Sequence, residues 1–408
     1  MTAPGPDQYD QNSGAGAGGF PSPLAQPSLT PPAPITTPAF SPARVPAPAT
    51  KRSGRSAPVW IIGILVLLLI ALVGYFLTFI GTGASALGAV LALIPLAGVL
   101  VAIRIVDRWE PEPRGLVIFA IAWGAIASVA IALLVDLLLS VVLGSPDTYA
   151  AEVFSTVVQA PIVEEFAKGL GVLIIFATAK RAFDGPVDGI VYGALIGAGF
   201  AFTENIQYFA ISWIEGGAGQ ASVTFFVRGI MSPFAHVMFT SVTGFALGLA
   251  ARRGATTGQA IGPWLLGLSG AILLHAFWNG SAVFTDFFSV YLMLQVPLFV
   301  LFIIGVLALR REESRLTRVR LGEYATAGWF TPQEVDMLAT PAGRKAGLRW
   351  AKTLQGDRTP IMKSFITDAT ALAMARQRAV TGRDPQASEE ERELLAKTAA
   401  ARQALLSL

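Results

Sequence analysis

Long apolar runs separated by short polar connections dominate the chain from residue 57 to residue 310. About eight of these runs reach the length of roughly 20 residues that an α-helix needs to cross a bilayer. They cover residues 58–80, 83–105, 116–143, 153–178, 187–211, 223–250, 259–284 and 287–309. The pattern predicts an all-α, polytopic membrane protein whose core is a helical bundle of about eight spans.

The two ends of the chain differ from this middle part. Residues 1–56 are rich in Pro, Ala and Gly, and such a segment buries too little apolar surface to offset the entropy of ordering. It is predicted to be a disordered cytoplasmic tail. Residues 57–310 are predicted to form the membrane domain, and residues 311–408 a small helical cytoplasmic appendage. The stretches "TPQE" at 331–334 and "SEEE" at 388–391 have the pattern of capping boxes that open helices.

Positive charges alternate between the loops. Lys and Arg precede the first span, follow the last one, and occupy the loops after the second, fourth and sixth spans, whereas the other loops contain neither. Because cytoplasmic loops of membrane proteins carry the excess of Lys and Arg, both termini are predicted to be cytoplasmic. The Ala- and Gly-rich composition favours a bacterial protein, placed as a multi-pass protein in the cytoplasmic (inner or plasma) membrane.

Composition supports the membrane and narrows the chemistry. Hydrophobic residues make up 53% of the 408 residues and charged residues 14%, against about 25% charged in soluble domains. Cysteine is absent, which removes disulfides, thiolate ligands and cysteine nucleophiles. Only two histidines are present, and no basic patch suggests nucleic acid as a partner. The lipid bilayer is an expected partner; nothing in the pattern defines an oligomeric state.

Ionisable residues inside membrane spans cost free energy in lipid, and they commonly have a function. Eight occur here, namely Asp136, Glu164, Glu165, Lys168, Glu204, Arg228, His236 and His275. All but Asp136 fall within four consecutive spans. Counted at about 1.5 Å of rise per residue, Glu164, Glu204, His236 and His275 lie at similar depth. They can meet only if their helix faces converge.

Helical spacing predicts how these faces are arranged. Gly189, Gly193, Gly197 and Ala201 form a ridge of small residues that lets another helix approach closely, and Glu204 lies on nearly the same face. Glu164 and Lys168 share a face, whereas Glu165 is turned about 100° away from them. The adjacent glutamates are therefore expected to have different functions. Pro233 is expected to kink the sixth span next to His236.

Each of these features alone has a structural interpretation. A single histidine in a bundle is usually a packed residue, Glu164 with Lys168 makes a buried ion pair, and the glycine ridge serves helix packing. Asp136 and Arg228 are interpreted as structural, with a pair between them as one arrangement. The joint occurrence of carboxylates and both histidines at one depth is harder to explain by packing.

Two imidazoles and a carboxylate are the usual ligands of catalytic zinc, with a fourth position for water. A further carboxylate can act as general base on that water. On this hypothesis His236, His275 and Glu204 bind zinc and Glu164 is the base. Glu165 and Lys168 support the site, and Asn279, one turn after His275, holds a substrate carbonyl or oxyanion. The chain contains no "HExxH" motif, so a zincin-type site is excluded.

Four stretches together resemble the PrsW-type intramembrane protease family, which is related to the CAAX-prenyl-protease and bacteriocin-processing superfamily. They are "VEEFAKG", "DGIVYGALIGAGFAFTEN", "AHVMFT" and "HAFWNG", which contain Glu164, Glu165, Lys168, Glu204, His236, His275 and Asn279. The resemblance implies an intramembrane endopeptidase, a hydrolase that cuts a membrane-anchored protein. In this family the substrates are linked to anti-sigma factors, whose cleavage on the outer side is the first cut of a signalling cascade.

Several alternatives stay open at the level of sequence. In a metal-free mechanism, Glu164 and His236 activate water directly, and His275 with Asn279 forms the oxyanion hole. From a different class, a proton-coupled transporter also carries intramembrane carboxylates, although no pair of corresponding broken segments in two halves is visible. A non-catalytic scaffold that binds a membrane partner through its glycine ridge is the third alternative.

Overall fold

The computed structural model describes residues 56–108, 110–284 and 286–406. The predicted disordered tail, residues 1–56, lies outside these residues except for Ser56. The described residues form helices and no β-strand. The predicted all-α architecture is confirmed.

Helices α1 to α11 form the membrane part. Their bounds are α1 Ser56–Tyr75, α2 Thr82–Val106, α3 Arg114–Ala122, α4 Val129–Leu143, α5 Tyr149–Phe154, α6 Ala160–Thr178, α7 Pro186–Phe225, α8 Ala235–Arg252, α9 Ile261–Phe284, α10 Phe287–Val290 and α11 Val296–Thr326. Short π-helical segments continue or join several of them, at Phe76–Ile80, Trp123–Ser128, Ser155–Gln159, Phe226–Met231 and Tyr291–Gln295. The appendage adds α12 Pro332–Ala339, α13 Pro341–Thr353, α14 Thr359–Thr381 and α15 Ala387–Leu406.

Six helical stretches of the described residues are long and apolar enough to cross a membrane. They are Trp60–Ile80, Thr82–Val106, Arg114–Leu143, Pro186–Arg252, Ile261–Val283 and Phe287–Thr326. The number is lower than the expected eight for two reasons. The expected fifth and sixth spans both lie within Pro186–Arg252, and the expected fourth, residues 153–178, carries three charged residues that reduce its apolarity.

The small-residue ridge of α7 packs directly against α8, as its spacing predicts. A Cβ atom on Gly189 would lie 2.0 Å from the carbonyl oxygen of Gly244, and one on Gly197 would lie 2.4 Å from that of His236. Residue numbers increase along α7 while those of the contacting residues in α8 decrease, so the two helices are antiparallel. The chain reverses between them after a break at Gly217, whose φ of 61° glycine adopts without strain.

The helix around Pro233 is interrupted and not merely kinked. The π-helical segment ends at Met231, and α8 begins at Ala235. Proline has no N–H to continue the hydrogen-bond ladder, and the Ser232 hydroxyl donates to the Val227 carbonyl oxygen at 2.7 Å. His236 therefore lies in the first turn of a new helix, whose position is set by the glycine ridge.

The appendage has its own apolar core. Leu321, Tyr324, Leu338, Phe365 and Leu372, together with further side chains of α11 to α15, are buried in it. The capping box predicted at 331–334 is present, because the Thr331 hydroxyl accepts from the Glu334 N–H and the Glu334 carboxylate accepts from the Thr331 N–H. The one predicted at 388–391 is wrong, since α15 already begins at Ala387.

Two arginines of the appendage contact the loop between α6 and α7. Arg383 donates to the carbonyl oxygens of Phe176 and Phe183, and it lies over the Phe176 ring. Arg378 forms a short ion pair with Asp184. Burial lowers the pKa of Arg383 to about 10, so the group is still charged at neutral pH. The appendage thus holds the connection between the two helices that carry Glu164 and Glu204.

The close α7–α8 contact leads to a stability prediction. We expect Gly197→Ala to lower the free energy of unfolding by about 1–3 kcal/mol, because the added methyl group overpacks against the His236 carbonyl. Gly98→Ala, where a Cβ meets no atom within 4 Å, is the matched control. Thermal unfolding of the purified proteins in detergent measures both. Equal melting temperatures would show that α8 is not held by this contact.

Candidate active site

Lys168 lies at the centre of the polar cluster and is fully buried on α6. Its Nζ atom is 2.6 Å from Glu165 Oε1 and 3.5 Å from Glu164 Oε2. It also lies 4.0 Å from the centre of the Phe200 ring. The expected pairing of Lys168 with Glu164 is therefore the weaker of two contacts, since residues three apart on a helix are neighbours as well as residues four apart.

Glu165 orients His275. Its carboxylate is fully buried, accepts a hydrogen bond from the Thr240 hydroxyl at 3.1 Å, and lies 3.0 Å from His275 Nδ1. A carboxylate paired with a lysine only accepts, so Nδ1 of His275 carries the hydrogen. The lone pair of Nε2 is then free, and this atom lies 3.9 Å from Glu164 Oε2. Carboxylates commonly orient ligating or catalytic histidines in this way.

His236 is held from both sides. Its Nδ1 atom lies 3.1 Å from Lys168 Nζ, and its Nε2 atom lies 2.8 Å from Glu204 Oε2. Because the ammonium group can only donate, Nδ1 accepts and Nε2 carries the hydrogen that Glu204 accepts. The rings of His236 and His275 are 5.0 Å apart and nearly perpendicular. The four helices α6, α7, α8 and α9 thus bring their polar side chains together.

Arg228 belongs to this cluster, although its sequence position suggested only a structural role. It forms a short ion pair with Glu204, donates from Nε to Asn205 Oδ1 at 2.9 Å, and lies over the Tyr208 ring. A pair between Arg228 and Asp136 is wrong, since Asp136 accepts a hydrogen bond from Gln159 at 3.3 Å. The signal was present in the sequence, because an arginine inside an apolar span needs an anionic partner.

Asn279 lies on the same face of α9 as His275. Its amide nitrogen donates to the backbone carbonyl oxygen of Thr156 at 2.9 Å, which ties α9 to the segment before α6. Both residues line a cavity of about 340 Å³, which we call the site cavity, together with Glu164, Glu204 and His236. One N–H of the Asn279 amide is thus engaged with the protein, and the predicted oxyanion role would use the other.

Glu164 differs from the other carboxylates of the cluster. Its Oε2 atom is buried and has no hydrogen-bond partner among the described residues. Glu164, His236 and His275 each offer one ligand atom, and these three atoms lie within 4.8 Å of one another. A carboxylate oxygen with two imidazole nitrogens fits zinc. Glu204, the ligand suggested from sequence, already accepts from Arg228 and His236.

Comparison with known proteins agrees with the motifs. Residues 112–303 match the model of the PrsW family of intramembrane metalloproteases. The resemblance to this family is confirmed. The PrsW-type region contains all of the site residues named above, whereas the appendage and the first two helices lie outside it.

Curated relatives match part of the same region. "Protease PrsW" of Geobacillus kaustophilus (strain HTA426) is 31% identical over 144 residues, which are 35% of this chain and 58% of that protein. "Protease PrsW" of Clostridioides difficile (strain 630) is 34% identical over 155 residues, 38% of this chain and 62% of that protein. The chain thus spans about three fifths of the length of these relatives. No solved structure matches it.

The environment of Lys168 leads to a second prediction. Lys168→Met leaves the buried Glu165 carboxylate without its cation, and we expect the free energy of unfolding to fall by about 3–5 kcal/mol. Lys352→Met, on the exposed surface of α13, is the control. Equilibrium unfolding in detergent measures both variants.

The same measurement on the double variant Lys168→Met with Glu165→Gln separates charge from packing. Recovery of part of the loss is expected, because a neutral amide needs no buried cation. If Lys168→Met alone were as stable as Lys352→Met, the ion pair would not support the fold.

Proposed function

We propose that this protein is an intramembrane endopeptidase that hydrolyses a peptide bond of a membrane-anchored protein. The observation that carries the proposal is the Glu164 carboxylate at the wall of the site cavity, whose buried Oε2 atom accepts no hydrogen bond from the described residues and makes a 3.5 Å ion-pair contact with Lys168. The PrsW-type sequence around it supports the same activity. A membrane-anchored anti-sigma factor, cut first in a signalling cascade, is the kind of substrate that the family resemblance suggests.

Two acceptor atoms at the site cavity support water activation. Glu164 Oε2 and His275 Nε2 lie 3.9 Å apart, and both can accept a hydrogen bond, so one water molecule can donate to both. Either group can then take its proton as the oxygen attacks the substrate carbonyl. Glu165 and Thr240 hold His275 in the tautomer that this step needs.

Zinc is the cofactor that we propose for this site, with Glu164, His236 and His275 as ligands. Bound there, it would supply a water of lowered pKa and polarise the carbonyl group. His236 Nε2 carries a hydrogen, so it can bind zinc only if the hydrogen-bonded group of Lys168, His236 and Glu204 releases one proton. The affinity for zinc should therefore rise with pH. Without the metal, the same Glu164 and His275 acceptors would hold the water.

The catalytic prediction concerns Glu164. Glu164→Gln keeps the size of the side chain but removes the carboxylate, which takes the water proton in the metal-free route and would bind the metal in the zinc route, and we expect cleavage to fall by at least about 100-fold. Glu152→Gln, an exposed position on α5, is the matched control. The readout is cleavage of a single-span reporter in proteoliposomes, with the amount of membrane-inserted enzyme measured alongside. Normal cleavage by Glu164→Gln would reject the proposed function.

The metal prediction distinguishes Glu164 from Glu204 as the carboxylate that binds zinc together with the two histidines. Mass spectrometry of the purified protein should find near-stoichiometric zinc, which Glu164→Ala, His236→Ala and His275→Ala lose and Glu204→Gln retains. Loss in Glu204→Gln with retention in Glu164→Ala would favour the assignment of Glu204 as ligand and Glu164 as base. An active preparation free of metal would establish the metal-free route.

We also propose that the protein lies in a bacterial cytoplasmic membrane with both termini in the cytoplasm, on the basis of the Lys and Arg distribution. The chain has no cysteine, so single cysteines report accessibility cleanly. A membrane-impermeant maleimide should label Ser145→Cys in intact cells and Thr257→Cys only after lysis. The reverse result would invert the topology.

A further inference from the structure

A second cavity adjoins the site cavity, and most of the residues that line it have no part in the chemistry described above. It measures about 390 Å³ and lies between α4, α6 and α7. We call it the side chamber. The two cavities share Ala160, Glu164, Glu204 and Tyr208 as walls. A molecule that lies across Glu164 can therefore occupy both at once.

The lining of the side chamber is mainly apolar. The apolar side chains are Val129, Ala132, Leu133, Val163, Phe200 and Ile211. Besides the shared Glu164, Glu204 and Tyr208, three polar side chains interrupt them, Asp136, Gln159 and Gln207. Asp136 stands out, because it is the one charged residue of α4, lies exposed, and its carboxylate accepts a hydrogen bond from Gln159 at 3.3 Å. An exposed carboxylate within an apolar span is costly unless it faces water or a polar partner.

These polar groups distinguish a peptide from a lipid as the occupant. An acyl chain has no groups for Asp136 or the two glutamines to bind. A peptide that is unwound for cleavage exposes backbone N–H and C=O groups, which need partners at membrane depth. A carboxylate accepts from N–H groups, and a glutamine amide both donates and accepts.

Size indicates the conformation of that peptide. An α-helix with its side chains is about 10–12 Å across, so a single turn already fills the side chamber. Room for a whole transmembrane helix is therefore lacking, whereas an extended segment with one large apolar side chain fits. Extended backbone is also the form in which a carbonyl group can approach Glu164.

We propose that the side chamber binds a large apolar side chain next to the scissile bond of an extended substrate segment, and that Asp136 and Gln159 bind the backbone of that segment. This inference rests on the proposed function. It adds the substrate class: a membrane segment with a large apolar residue beside the cleaved bond. The polar site cavity then receives the chain on the other side of that bond.

Disulfide crosslinking tests the contact, since the natural chain contains no cysteine. Ala132→Cys places a thiol in the side chamber, and Leu134→Cys, on the exposed face of the same helix, is the matched control. Both are made with Glu164→Gln to prevent cleavage. The probe is a single-span reporter that wild-type enzyme cleaves at a mapped bond, with one cysteine moved through the three positions on each side of that bond.

The expected result is a crosslink from Ala132→Cys to one position next to the cleaved bond, at least about five-fold stronger than any from Leu134→Cys. In addition, Ala132→Trp should reduce kcat/KM at least about ten-fold for a reporter with Leu at that position, and less for one with Ala. Leu134→Trp should leave both unchanged.

Equal crosslinking from positions 132 and 134, with the reporter still cleaved by wild-type enzyme, would overturn the assignment of the side chamber and leave the protease proposal intact. If Glu164→Gln still cleaved the reporter, or if the wild-type enzyme cleaved none of the reporters, the proposed function would be rejected and this inference with it.

Discussion

Lys168 carries a positive charge into the middle of a helix bundle, and the surrounding groups are arranged to hold it there. Its ammonium group contacts Glu165, Glu164 and His236, and it lies against the Phe200 ring. A buried charge is tolerated only with such partners. One consequence is chemical: because Lys168 donates to His236 and pairs with Glu165, it determines the tautomers of both histidines. Lys168 therefore sets which ring nitrogen of each histidine donates a hydrogen bond and which one accepts.

Close helix packing makes these contacts reachable. The glycine ridge lets the backbone of α7 touch that of α8, and this approach places Glu204 2.8 Å from His236. The interruption at Pro233 starts α8 one residue before His236, so the imidazole is fixed by the beginning of a rigid helix. Dispersion and small residues drive such association in lipid, where apolar surface alone supplies little force. Packing and chemistry therefore share the same residues.

The appendage extends this arrangement beyond the membrane helices. α11 runs without interruption from the last apolar stretch into it, and Arg383 and Arg378 bind the loop after α6. That loop joins the helix of Glu164 to the helix of Glu204. The family match ends at residue 303, so this contact is an addition to the PrsW-type region. It gives α6 and α7 a fixed connection on the side opposite to the break at Gly217.

The sequence by itself determined the helical membrane class, the glycine ridge and most of the polar residues that meet, with Arg228 as the exception, because hydropathy, residue size and helical period are local properties of the chain. It also separated the two glutamates, since a 100° turn per residue follows from helix geometry. The tertiary structure alone decided which groups pair. Lys168 has neighbours three and four residues away on one helix, and Arg228 could reach different carboxylates; only the packing of α6 to α9 selects Glu165 and Glu204. The side chamber likewise forms between several helices, so no local sequence pattern predicts it.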